Sequence, residues 1–239
     1  MIGELKTTVF WSDQFPRPND LPVANELPSQ VDVAIVGSGY TGLNCARVLA
    51  KAGMRVAVLE KNTIGWGASS RNGGMATPGL KQDISKIKKT YGMDYAREFW
   101  KSSVDAINLL EQIIVEESID CHWSRYGHMS LAYKQSHFND LVGYIEWLDK
   151  EFGHKKKLIS KSQLKTEIGT DAYFGGSTDE LSGGLQPAKY VFGLAKAVAV
   201  HGVILCENSQ VTSIQKESNE FEVMTNQGTI MAKNAVIAT

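Results

Sequence analysis

One strand–turn–helix–strand segment limits the folds open to this chain more than any other feature. Residues 31–36 read VDVAIV, a run typical of a strand buried on both faces of a parallel sheet. Residues 40–52 have the apolar spacing of a helix, and Gly53 follows as its C-cap. Residues 55–60, RVAVLE, predict a second buried strand. Strand, helix and strand in this order form a right-handed βαβ unit, so the sequence predicts an α/β fold.

Three glycines connect the first strand to the helix in the pattern G-x-G-x-x-G. Gly37 permits a tight turn, Gly39 lets the backbone approach a pyrophosphate, and Gly42 lets the helix pack closely on the strand. The phosphates would then lie at the positive end of the helix dipole. Glu60 ends the second strand, where a carboxylate can accept both hydroxyls of an adenosine ribose and would repel a 2′-phosphate. The pattern therefore favours a dinucleotide other than NADP over a glycine-rich turn that binds nothing.

The loop after the second strand bears on which dinucleotide binds. Residues 61–75 read KNTIGWGASSRNGGM and offer small residues, hydroxyl groups and closely spaced backbone N–H groups. Such a loop can enclose a cofactor too large for one phosphate-binding turn, which favours FAD over NAD. A flexible surface loop and an NAD-dependent dehydrogenase remain the alternatives.

Composition excludes several other classes of protein. The 239 residues are 43% hydrophobic and 21% charged, which argues against a disordered chain. The formal net charge of -1 gives no general attraction to nucleic acid or anionic membranes. The spacing of Cys45, Cys121 and Cys206 fits neither a disulfide framework nor a zinc site, and His122 and His128 add no ligand pattern. No apolar run reaches the ~18 residues of a membrane span, so we expect a cytoplasmic protein.

The remaining pattern predicts a split domain organisation. Residues 1–30, rich in proline, predict an extended arm, followed by the first part of the nucleotide-binding domain (31–117), a partial α+β domain (118–184) and the second part of the nucleotide-binding domain (185–239). Within these ranges we expect helices in 81–117, 136–152 and 187–201, two strands around Gly127, four short strands near 203–207, 210–216, 220–225 and 228–232, and a final buried strand at 235–238. Four tryptophans are expected to serve in packing rather than as stacking platforms for bases: Trp66, Trp100, Trp123 and Trp147.

The combined motifs carry a resemblance to a known family. GSGYTG, LEK and GWGASSRNGG resemble the N-terminal part of FAD-dependent oxidoreductases of the D-amino-acid oxidase/glycine oxidase family. The branch indicated is that of the γ-glutamylputrescine oxidoreductase-like amine oxidases. The resemblance runs from Phe10 onward and includes GLQPAK at 184–189 and NAVIAT at 234–239. It implies a Rossmann-like FAD-binding domain, whose parallel sheet has a β-meander insertion, and part of an α+β substrate domain.

The resemblance also implies a set of FAD-binding residues. Those expected at the pyrophosphate are Gly37, Gly39, Tyr40, Thr41 and Gly42, and those at the adenosine ribose are Glu60 and Lys61. Those expected along the ribityl chain toward the isoalloxazine are Ala68, Ser69, Arg71, Asn72, Gly73, Gly74 and Met75, and Val211 is expected to meet the adenine through its backbone.

Two departures from the family pattern are visible. Family members commonly have His-Pro where this chain has Gln186-Pro187, and the chain stops at Thr239, directly after a predicted strand. We therefore expect the N-terminal portion of a longer enzyme.

The function that the resemblance implies is FAD-dependent oxidation of a small amine or amino acid. A hydride would pass to flavin N5, the resulting imine would hydrolyse, and oxygen or another acceptor would reoxidise the flavin. No side chain is singled out as a catalytic acid or base, and we expect no metal, nucleic acid or membrane partner. A nucleotide-binding fragment or subunit without turnover is the alternative from a different class.

Overall fold

The computed structural model describes residues 6–239, so the first five residues of the expected arm lie outside the described residues. The helices are α1 (Phe10–Gln14), α2 (Tyr40–Lys51), α3 (Ile84–Tyr91), α4 (Met93–Glu116), α5 (Gln135–Phe152), α6 (Leu164–Ile168) and α7 (Pro187–Val200), with a 3₁₀ turn at Ala68–Ser70. The strands are β1 (Gln30–Val36), β2 (Val56–Leu59), β3 (Met75–Ala76), β4 (His128–Leu131), β5 (Lys157–Ser160), β6 (Gly175–Asp179), β7 (Gly183–Gly184), β8 (Ile204–Cys206), β9 (Val211–Glu217), β10 (Glu220–Thr225) and β11 (Gly228–Ile237). The chain divides into two units.

The first unit contains the predicted βαβ segment in a six-stranded mixed sheet. It comprises residues 6–73, 114–121 and 186–239, and its strands lie in the order β8-β2-β1-β11-β10-β9. The first four strands are mutually parallel, and β9, β10 and β11 form an antiparallel meander. Ala34, Leu59 and Val223 belong to the buried cluster of this sheet. The predicted α/β class, with a parallel sheet and a meander, is confirmed.

Close packing between the first turn and α2 requires a glycine in the helix. A Cβ atom on Gly42 would overlap the carbonyl oxygen of Gly37, whose own φ of +105° lies in the region that favours glycine. This contact involves backbone atoms, which cannot move aside as a flexible side chain can. Gly42 therefore sets the distance between the helix and the end of β1.

Gly42→Ala should lower the free energy of unfolding by about 1–3 kcal/mol or more, because the added methyl group overlaps backbone. Gly143→Ala is the matched control, since that glycine lies in α5 and a methyl group added there would meet no neighbouring element within 4 Å. The control should stabilise the protein by about 0.5–1 kcal/mol through helix propensity. Urea denaturation measures both changes, and a Gly42→Ala protein as stable as the wild type would contradict this packing.

The second unit has its own sheets and core. It comprises residues 74–113 and 122–185, with a three-stranded antiparallel sheet β4-β6-β5 and a two-stranded sheet β3-β7. Ile84, Trp100 and Leu148 bury their side chains in one cluster formed by α3, α4 and α5. His154 Nε2 lies 2.9 Å from Asp179 Oδ2, and both side chains are buried. This polar pair was not foreseen from the sequence.

The domain boundaries differ from the expected ones. Residues 74–113, expected in the nucleotide-binding domain, belong with 122–185, because α3 and α4 bury their apolar faces against α5. The expected arm is not wholly extended, since α1 lies within it. The segment 10–14 contains no proline, so the prolines elsewhere in the arm do not prevent a helix there.

Three strand predictions need correction. Of the two strands expected around Gly127, the one after this glycine is β4. The one expected before Gly127 is reduced to a single bridge between Ser124 and Gly184. The strands expected at 228–232 and 235–238 are one strand, β11, in which Lys233 remains extended and binds Asp32 Oδ1 at 2.7 Å. The end of β11 is not buried, since Ile237 is 72% exposed. The polar residues at 233–234 do not interrupt the strand, because a strand that is partly exposed tolerates polar residues.

Candidate dinucleotide-binding site

A cavity of about 550 Å³ lies in the first unit, where β1, β2 and β11 end. Val36, Leu59 and Ala238 line its floor, and the first residues of α2 line one wall. In open α/β sheets this position, at the carboxyl ends of parallel strands, is the one at which ligands bind. The geometry therefore places the cavity where the glycine pattern predicts a dinucleotide.

The turn between β1 and α2 leaves space for a ligand at one glycine. Gly37, Gly39, Tyr40 and Thr41 line the cavity, whereas Gly42 is used in packing. A Cβ atom on Gly39 would meet only Ser69 Oγ, at 3.1 Å. Backbone at Gly39 can therefore be approached closely from the cavity, as a pyrophosphate requires.

Glu60 lies at the cavity with its carboxylate held by backbone and hydroxyl donors. Its Oε2 accepts hydrogen bonds from Ser38 N at 3.1 Å and from Ser38 Oγ at 2.7 Å, while Asn62 N donates to Oε1 at 3.0 Å. Glu60 directly follows β2 and Ser38 lies two residues after β1, so the two side chains meet at one sheet edge. Sequence reasoning missed Ser38, although a hydroxyl inside a glycine motif beside a predicted carboxylate was the available signal.

Part of the loop after β2 also lines the cavity. Ala68 and Ser69 do so from the 3₁₀ turn, and Ser69 Oγ accepts a hydrogen bond from Tyr40 N at 3.1 Å. Lys61 lines it as well, and so does Trp66, which is 50% exposed. Val211 lines the cavity from the start of β9, next to Gln210, which the sequence did not indicate.

The remaining expected residues lie elsewhere. The Arg71 guanidinium stacks 4.4 Å from the Trp66 ring centroid, and the Asn72 amide donates to the Ala68 carbonyl at 3.1 Å, so both brace the loop. Gly73 is exposed. Gly74 and Met75 belong to the second unit, where Gly74 O accepts from Leu185 N and Met75 pairs with Gly184.

Tyr40 connects the start of α2 to α7. Its ring lies 5.1 Å from that of Tyr190 in an edge-to-face contact, and its hydroxyl donates to the Pro187 carbonyl at 3.3 Å. Burial raises the pKa of Tyr40 to about 12, opposed by the hydrogen bond from Asn72. The phenol therefore stays protonated near neutral pH and acts as a donor rather than a base.

The sequence matches one protein family over most of its length. Residues 32–239 match the family described as DAO, FAD dependent oxidoreductase. The chain belongs to this family. Proteins of this family depend on FAD, as the family description states. The cavity has two features that suit this cofactor: a glycine that a pyrophosphate can approach, and a carboxylate held in place at the strand ends.

Individual relatives agree with the DAO assignment. The chain is 35% identical to gamma-glutamylputrescine oxidoreductase of Escherichia coli strain K12 over 87% of this chain and 48% of that protein. The same three values relate it to the probable oxidoreductase OrdL of Haemophilus influenzae. The crystal structure of glycine oxidase from Geobacillus kaustophilus superposes with a TM-score of 0.73 and 27% identity, covering 89% of this chain and 56% of that chain. The chain spans about half the length of the curated relatives it matches.

Two kinds of feature are absent from residues 6–239. No helix there is long and apolar enough to cross a membrane. No group of three or more His, Cys, Asp or Glu side chains in that range could hold a metal ion.

Proposed function

We propose that FAD binds in this cavity with its pyrophosphate against residues 37–42 and its adenosine ribose at Glu60. The observation that carries the proposal is the position of the Glu60 carboxylate, fixed by Ser38 at the ends of β1 and β2. Thr41, Lys61 and Val211 line the same cavity. The flavin end would extend along the loop from Ala68 to Gly73, with Arg71 and Asn72 nearest the ring.

The protein residues bind and orient the cofactor in this proposal. Gly39 provides close backbone approach, Glu60 accepts the ribose hydroxyls, and the 3₁₀ turn at Ala68–Ser70 forms a wall held by the Ser69–Tyr40 hydrogen bond. FAD, when bound, supplies N5 as the hydride acceptor for oxidation of an amine or amino-acid C–N bond to an imine that water hydrolyses. No side chain of the described residues is assigned as an acid or base.

The relatives support an amine or amino acid as the substrate class. Two of those compared are named for such compounds, gamma-glutamylputrescine oxidoreductase and glycine oxidase. A subunit that holds FAD without turnover is the alternative function. Membership of the DAO family favours either of these over an NAD-dependent dehydrogenase.

Anaerobic mixing of the purified full-length protein with a panel of amines and amino acids tests the reaction. We expect at least one primary or secondary amine to bleach the visible flavin band, with the carbonyl product formed in equal amount. Dithionite serves as the control that the bound flavin can be reduced. Bound flavin that dithionite reduces and no amine or amino acid reduces would favour the subunit without turnover.

A further inference from the structure

Trp11 joins the short helix α1 to the end of the cofactor loop. Its indole Nε1 donates a 2.6 Å hydrogen bond to the carbonyl oxygen of Asn72, which is 61 residues away in sequence. The Asn72 side chain in turn donates to the carbonyl oxygens of Ala68 and Ser69, at 3.1 and 3.2 Å. Because Ala68 and Ser69 line the cavity, the indole holds the segment that shapes one of its walls.

Gln186 fixes the position of Trp11 from the other side. Its Nε2 donates to the Trp11 carbonyl at 2.9 Å, while its Oε1 accepts from Lys189 N at 2.7 Å and caps α7. Its backbone N also donates to the carbonyl of Cys121 at 2.8 Å. Gln186 is only 7% exposed, and both the oxygen and the nitrogen of its side-chain amide bind protein partners. Two hydrogen bonds, joined through Trp11 itself, therefore connect the start of α7 to the loop.

The segment after α1 and the cofactor loop both pack against the same aromatic residue of α7. The Phe15 ring, directly after α1, lies 6.4 Å from that of Phe192 on α7. Phe192 also lies against the cofactor loop, since a Cβ atom on Gly65 would approach its ring to 2.8 Å. Gly65 itself lines the cavity. The start of α7 and its first turns thus support both α1 and the wall of the site.

We propose that Trp11 and Gln186 are positioning residues for FAD. Through Asn72 they hold residues 68–72 in the conformation that closes one side of the cofactor cavity, although neither side chain lines that cavity. The inference rests on the proposed function, in which FAD occupies this cavity. It assigns a role to the arm before β1 and to the glutamine that stands where family members commonly have histidine.

Trp11→Phe removes the indole N–H and keeps an aromatic ring at this position. We expect the dissociation constant for FAD to rise about 3- to 10-fold, since one neutral hydrogen bond has that effect on an equilibrium. Gln186→Glu retains an acceptor for Lys189 N but loses the donor to Trp11, and should weaken FAD binding to a similar extent. Phe10→Leu is the control, because Phe10 is 63% exposed and its ring contacts Trp11 without any hydrogen bond to the loop.

The measurements are FAD titration by flavin fluorescence and urea denaturation of each apoprotein. The double variant, with both Trp11→Phe and Gln186→Glu, should bind FAD about as tightly as the single variant of lower affinity, since both residues act through one series of contacts. A lower stability of the apoproteins with an unchanged dissociation constant would show a purely structural role and overturn the inference. Additive losses in the double variant would overturn it as well.

Wild-type protein that binds no FAD would refute the proposed function, whereas wild type and variants that bind equally would refute this inference alone.

Discussion

Gly39→Val should abolish FAD binding while leaving the fold largely intact. A Cβ atom at this position meets only Ser69 Oγ, at 3.1 Å, so the backbone can accept it with a small shift of one side chain. The two added methyl groups would instead occupy the space through which a pyrophosphate approaches the turn. The ratio of flavin to polypeptide after purification measures the loss, and urea denaturation of the apoprotein measures the fold.

Gly42→Ala provides the contrast to this variant. Its added methyl group overlaps backbone inside the protein, so it should reduce stability first and FAD binding only as a consequence. Stoichiometric flavin retained by the Gly39→Val protein would mean that the pyrophosphate lies elsewhere.

Glu60→Ala should weaken FAD binding by at least ~10-fold. Hydrogen bonds from ribose hydroxyls to a carboxylate are charge-assisted and contribute ~1.5–3 kcal/mol each, and ~1.4 kcal/mol corresponds to one decade. Removal of the carboxylate also leaves Ser38 and Asn62 without the acceptor that they share. Glu60→Gln keeps the size and one acceptor oxygen, so its loss of affinity should be smaller. Fluorescence titration measures both.

Glu146→Gln is the matched control for the loss of one negative charge. Glu146 is exposed on α5, in the second unit, and does not line the cavity. Its replacement should leave the FAD dissociation constant unchanged. If Glu60→Ala also left it unchanged, Glu60 would have no part in the site.

The parts of this fold that the sequence predicts are those encoded by neighbouring residues. Apolar periodicity and turn glycines are local signals, and they predict both ends of β1, α2 and β2 to within one residue. The same reasoning places Gly37, Gly39 and Glu60 at one cavity, because parallel strands end at a common edge.

Features that depend on distant residues could not be read in this way. Trp11 meets Asn72, and Gln186 meets Trp11 across 175 residues, so no local pattern identifies either contact. The continuity of β11 depends on pairing with β1, which tolerates the exposed Lys233 and Asn234 inside the strand. The roles expected of Gly73, Gly74 and Met75 along the flavin stay predictions.

The most direct test of FAD binding at this site is the identity and amount of the nucleotide released from the purified protein. Heat or acid denaturation, followed by chromatography against FAD, FMN and NAD standards, gives both. We expect FAD in a ratio approaching one per polypeptide, lost in Gly39→Val and retained in Glu146→Gln. FMN or NAD in place of FAD, or FAD retained equally in both variants, would contradict a dinucleotide bound across the β1–α2 turn and Glu60.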